Sequence, residues 1–137
     1  MGDYRSANFL FEFVTPTIGE NYANVVVDSP AGLEHLNRKV IPKMDDLFLV
    51  LDPSLKSIKH LERVRNITKE VGIDYKHLYI VGDYEFDDEA GQRLKRSGET
   101  CLGKMNYDAQ VKDYNLRGES LLNLPDSSPA CLSVRKY

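Results

Sequence analysis

Three short apolar runs constrain this chain more than any other feature: Asn24-Val25-Val26-Val27-Asp28, Leu47-Phe48-Leu49-Val50-Leu51 and Leu78-Tyr79-Ile80-Val81-Gly82. Each is continuous instead of alternating, the pattern of strands buried on both faces of a parallel sheet. Cys101-Leu102-Gly103 is a weaker fourth run. Between the second and third, Leu55, Ile58, Leu61, Val64, Ile67, Thr68 and Val71 recur at helical spacing, and Gly72 supplies a stop. That predicts one amphipathic helix from Ser54 to Val71, with Lys56, Lys59, Arg63, Arg65 and Lys69 forming a solvated basic stripe. Further helices are predicted over 8–18, 33–43, 87–97 and 109–117, with Asp87 and Asp108 as N-caps and Gly98 and Gly118 at the C′ positions. Strands alternating with helices of this length need crossover connections. The expected class is therefore α/β, a parallel sheet with helices on both faces. After Leu124, Pro125 and Pro129 leave room only for a short helix beyond Ser128.

With 137 residues, 42% of them hydrophobic, the chain has the size and apolar content of one domain, 1–137, whose final segment, 125–137, is the least specified. Eighteen basic against 21 acidic residues give a net charge of −3, which offers no reason to bind nucleic acid or an anionic membrane. No apolar stretch approaches the ~20 residues that span a bilayer. The polar start, with Asp3 before the first Arg, does not read as a secretory signal, so a cytoplasmic location is expected. Cys101 and Cys131 lack CxxC spacing and are expected to be buried structural thiols.

In an open α/β sheet the chemistry sits at the carboxyl ends of the strands. There the first run ends in Asp28-Ser29-Pro30-Ala31-Gly32. Two readings fit. A strand-terminal Asp can hold a water on Mg²⁺, with the glycine admitting a γ-phosphate to a backbone N–H; equally, Asp28 caps the next helix and Gly32 turns the chain. Gly98 to Lys104 matches half of a phosphate-binding loop, yet Met105 stands where a Mg²⁺-binding Ser or Thr is required, and the match straddles a strand. The acidic run Asp83, Glu85, Asp87, Asp88, Glu89 fails the EF-hand frame and reads as a solvated loop leading into a helix N-terminus. His35, His60 and His77 have no ligand-spaced partners, and no nucleophile elbow is present.

The stretch "VVVDSPAGLEHLNR" resembles the switch II region of MinD/ParA-type P-loop ATPases. Glu34-His35-Leu36 and Arg38 resemble the branch of accessory ATPases that insert nickel into carbon monoxide dehydrogenase. "FLVLDPSLKSIKHLERVRNITKEVGI" resembles that family's next strand and helix, and "LGKMNYDAQVKDYNLRGESLL" a later segment. The likeness covers residues from about 24 to 124 and implies a partial P-loop NTPase, Rossmann-like fold. It further implies ATP or ADP with Mg²⁺ bound between two subunits, and a metal handed to a metalloenzyme target. By resemblance, Asp28 organises Mg²⁺ and water, Gly32 lies near the γ-phosphate, and Asn106, Tyr107 and Asp108 form the loop over the base. Glu34, His35 and Arg38 fall in the region that meets a partner.

Asp83 stands where the family has an Asn that reads the adenine edge. An Asp accepts from the adenine amino group but has no donor for the ring nitrogen. Nothing resembles the family's "KGGxGKT" loop or the CxC of the nickel branch. The resemblance thus implies the carboxyl-terminal half of such an ATPase: a truncated or separately encoded part of an accessory protein, inactive alone, with no metal site of its own. A homo-oligomer or a complementary ATPase half would be its partner. The alternatives are a non-catalytic interaction module and an inert fragment. A strand lost from the sheet centre would make the Val25–Val27 run pair directly with the Leu47–Leu51 strand or recruit another chain.

Overall fold

The computed structural model describes residues 21–28 and 43–136. Strand β1 (Lys43–Leu51) leads into helix α1 (Leu55–Val71), then β2 (Asp74–Gly82), α2 (Asp88–Arg96), β3 (Cys101–Lys104), α3 (Ala109–Arg117), a 3₁₀ turn (Leu121–Asn123) and α4 (Pro129–Val134). The described strands form one sheet in the order β1-β2-β3. β2 and β3 pair in parallel, Ile80 opposite Cys101 and Gly82 opposite Lys104, with a register shift after Ile80. Between β1 and β2, Asp45 meets Lys76, Asp46 meets His77, and Phe48 stacks on Tyr79. Both members of these pairs advance together along the chain, so these strands also run in the same direction. The alternating α/β architecture predicted from the apolar runs is the one observed.

Each boundary has a local cause. Ser54 opens α1, its side chain accepting the Ser57 N–H at 3.3 Å while Asp52 Oδ1 accepts the Ser54 N–H at 2.7 Å. The buried residues of α1 are Ser57, Leu61, Val64 and Thr68, a single face at helical spacing. Leu55, predicted on that face, is exposed. Gly72 ends the helix at φ 68°, a backbone state that other residues reach only with strain. Asp87 caps α2 by accepting the Ala90 N–H at 2.7 Å, and Asp108 caps α3. The predicted short helix after Ser128 is α4, with Ser128 as its N-cap and Pro129 in its first turn.

The described residues fall into two units: 21–28 and 43–46 with 60–77, and 47–59 with 78–136. In the first, Leu61, Val64 and Ile73 are buried, and Thr68 satisfies its hydroxyl on the Val64 and Arg65 carbonyls. In the second, Leu51, Ile80, Phe86, Ala90 and Leu94 form the core.

Two expectations are corrected. Residues 24–28 are not a strand: they are irregular and exposed, and they take no part in the described sheet. A β-branched run favours a ladder but cannot supply the neighbour that a ladder requires. Cys101 and Cys131 are free thiols, but both are only half-buried. The helix predicted over 8–18 lies outside the described residues, as does the one predicted over 33–43 except for its last residue, Lys43, which opens β1 instead. No helix among the described residues is long and apolar enough to cross a membrane.

Candidate functional site

Parallel pairing brings the carboxyl ends of all three described strands to one edge. There the Asp83 N–H donates to the Leu51 carbonyl and the Met105 N–H to the Gly82 carbonyl, each at 2.9 Å. Asp52, Asp83 and Met105, the residues that follow the strands, thereby stand side by side, and the loops beyond them carry Tyr84 and Tyr107.

Asp83 terminates β2 half-buried. Its Oδ1 accepts the Glu85 N–H at 2.9 Å, and its carbonyl accepts the Phe86 N–H at 3.2 Å, so the chain turns immediately. That turn leaves Tyr84 exposed and sends Phe86 back into the core beneath Gly82. The Tyr84 and Tyr107 rings lie 5.8 Å apart at 60°, a tilted aromatic pair with 55% and 61% of the two residues still open to solvent. Asn106 is held through its backbone, its N–H donating to Ser133 Oγ at 3.0 Å, and its side chain is exposed.

Asp108 is buried and used by the fold. Its Oδ1 accepts the Gln110 N–H at 2.9 Å; its Oδ2 accepts the Ser128 hydroxyl at 2.6 Å and the Ala130 N–H at 3.3 Å. The Ser128 hydroxyl, followed by the two backbone donors, holds its carboxyl below the ordinary carboxylate range. One side chain thereby caps α3 and anchors the start of α4. At the end of β1, the Ser54 side chain, then its N–H, and Ser57 hold Asp52 low in the same way.

Arg93 braces this edge from α2, donating to the Pro53 carbonyl at 2.8 Å and to Glu89 at 3.0 Å. Lys104 donates to the Phe86 carbonyl at 2.9 Å. Its ammonium ties the end of β3 to the loop after β2, and the 98–104 match straddles that strand.

The structure therefore brings Asp83, Asn106, Tyr107 and Asp108 to one edge. Asp28 is exposed and belongs to the other unit. Gly32, Glu34, His35 and Arg38 lie outside the described residues. Tyr84, Arg93 and Lys104 were not singled out as site residues from sequence. Tyr84 had one signal, its place directly after a strand-terminal Asp, but its partnership with Tyr107 depends on the β2–β3 register. No group of three or more His, Cys, Asp or Glu that could hold a metal exists among the described residues.

An uncharacterized ATP-binding protein of Methanocaldococcus jannaschii is 28% identical over 98% of this chain and 54% of its own length. The chain is a distant, partial relative of MinD/ParA-type ATP-binding proteins. The carbon monoxide dehydrogenase accessory protein CooC of Rhodospirillum rubrum is 27% identical over 78% of the chain and 40% of its own length. A second uncharacterized ATP-binding protein of M. jannaschii is 30% identical over 71% of the chain and 38% of its own length. The chain spans about half or less of the length of these curated relatives. No family model matches it.

Proposed function

We propose that this chain forms the base-binding side of a purine-nucleotide site in an accessory protein related to MinD/ParA-type ATPases, one that serves metal-cluster maturation. The observation that carries the reading is the exposed Tyr84–Tyr107 pair beside Asp83 at the carboxyl edge of a parallel sheet. An aromatic face stacks on a base, and a carboxylate accepts from its amino edge. Kinship to ATP-binding proteins supports a nucleotide as the ligand, and the Rhodospirillum accessory protein supports the maturation setting; nickel as the metal rests on the resemblance of Glu34-His35-Leu36 and Arg38 alone.

Among the described residues no Gly-rich phosphate cradle stands at this edge, where Lys104 spends one of its three ammonium donors on the Phe86 carbonyl. By resemblance alone, Asp28 and Gly32 would act on Mg²⁺ and the γ-phosphate, and the lysine-bearing phosphate cradle would have to be supplied besides them. That portion would come from a second copy, a complementary polypeptide or another part of a longer chain. Hydrolysis by residues 1–137 alone is not expected, because charge stabilisation of the transferring phosphoryl group requires such a cradle.

Calorimetric titration with millimolar Mg-ATP and Mg-GTP tests the reading. Binding of at least one is expected, weakened about tenfold or more in a Tyr84→Ala/Tyr107→Ala double variant, since base stacking is worth roughly 1–3 kcal/mol. No heat with either nucleotide would end it.

A further inference from the structure

Two features of this chain suit a sheet, and neither has the neighbour that a sheet supplies. The first is the outer edge of β1. Among the described residues β1 is a terminal strand, with β2 on one side and no strand on the other. Its opening residues carry charge, but Asp45 and Asp46 are engaged across the strand pair by Lys76 and His77. From Leu47 to Leu51 the strand has none of the lysines or prolines that ordinarily protect an edge from pairing. Phe48 and Val50, two residues apart and so on one face, are each more than half exposed, and the Tyr79 ring lies 5.4 Å from that of Phe48.

The second is the Val25–Val27 run. All three residues are β-branched, uncharged and exposed, and the run takes no part in the described sheet. Laid along β1 as a strand, it would set valine side chains beside Phe48 and Val50 and take apolar surface on both sides out of water. Main-chain hydrogen bonds to the open edge would hold it there, as when a peptide adds a strand to a sheet. Each copy of the chain thus carries one strand-competent donor and one acceptor edge, and neither is satisfied within the described sheet.

We infer that copies of this chain associate by strand addition, Val25–Val27 of one copy pairing with the Leu47–Leu51 segment of β1 in another. The contact joins unlike surfaces, a run to an edge, in contrast to run-to-run or edge-to-edge pairing. It uses none of the residues of the nucleotide reading above and stands or falls separately from it.

The test is light scattering on the full 137-residue chain and on two lysine variants, each alone and then mixed. The parent chain is expected to gain mass above 15.6 kDa as its concentration rises. Val26→Lys removes the donor and Val50→Lys the acceptor. Each alone should weaken association about tenfold or more, because a charge replaces an apolar side chain that the contact buries. Mixed in equal amounts, the two should form a heterodimer that neither forms alone, since the intact run of the Val50→Lys copy fits the intact edge of the Val26→Lys copy. Both positions are exposed, so their urea midpoints should match the parent's; should Val50→Lys lower its midpoint, Phe48→Lys on the same face takes its place. A parent chain that stays monomeric at millimolar concentration would overturn the inference. Association that survives Val26→Lys would do the same, as would a mixture no heavier than its components, which would assign the contact to like surfaces.

Discussion

At the scale of single residues, Gly82 and Asp108 show what the fold spends at its functional edge. A methyl group on Gly82 would stand inside van der Waals distance of the Phe86 side chain, which is itself buried. Gly82→Ala is therefore expected to destabilise by about 1–3 kcal/mol, the usual cost of overpacking, read as a lower urea midpoint. Asp108 makes a pH-dependent contribution. Its folded carboxyl titrates below the ordinary 3.8, held there first by the Ser128 hydroxyl. Its stabilisation is complete above that value and is lost as pH falls through the folded pKa. Thermal unfolding should show Asp108→Asn to be less stable than the parent chain at pH 6, with the gap narrowing below about pH 3.8. A gap that stays constant down to pH 2 would argue against the ionised contact. The capping role of Asp108 was legible, because an Asp before a helical pattern is a start signal. Its second oxygen was not, because Ser128 lies 20 residues further on and local pattern carries no information about such ties.

At the scale of elements, the readable parts were those in which one local physical demand decides the outcome. Continuous apolar runs gave β1 and β2, while period and a stop glycine gave α1, and an Asp cap with a terminal glycine gave α3. Helix α2 is short and rich in charge, yet it is held by two buried residues one turn apart, Ala90 and Leu94. Leu94 is 1% exposed, so Leu94→Ala should cost about 2–5 kcal/mol, and a smaller change in urea denaturation would mean that the site collapses around the lost volume. The Val25–Val27 run marks the limit of this logic. Three consecutive valines state a preference for a sheet, but whether a neighbouring strand exists is a property of the assembly and not of the run. The aromatic pair was hidden for a related reason: Tyr84 and Tyr107 meet only because β2 and β3 pair in parallel in one particular register.

At the scale of the whole molecule, those valines also bear on association. Val26 is 93% exposed, and its neighbours Val25 and Val27 are 45% and 43% exposed, within a segment outside the described sheet. Burying a valine side chain contributes roughly 1.5–3 kcal/mol, and an exposed β-branched run is the kind of sequence that pairs with another strand. Light scattering on the isolated chain should then give a mass that rises with concentration above the 15.6 kDa monomer. Val26→Lys should return that mass to the monomer without lowering the urea midpoint, because an exposed side chain contributes little to the folded core. A strict monomer at millimolar concentration would exclude self-association through this segment. A Val26→Lys chain that still associates would move the interface elsewhere.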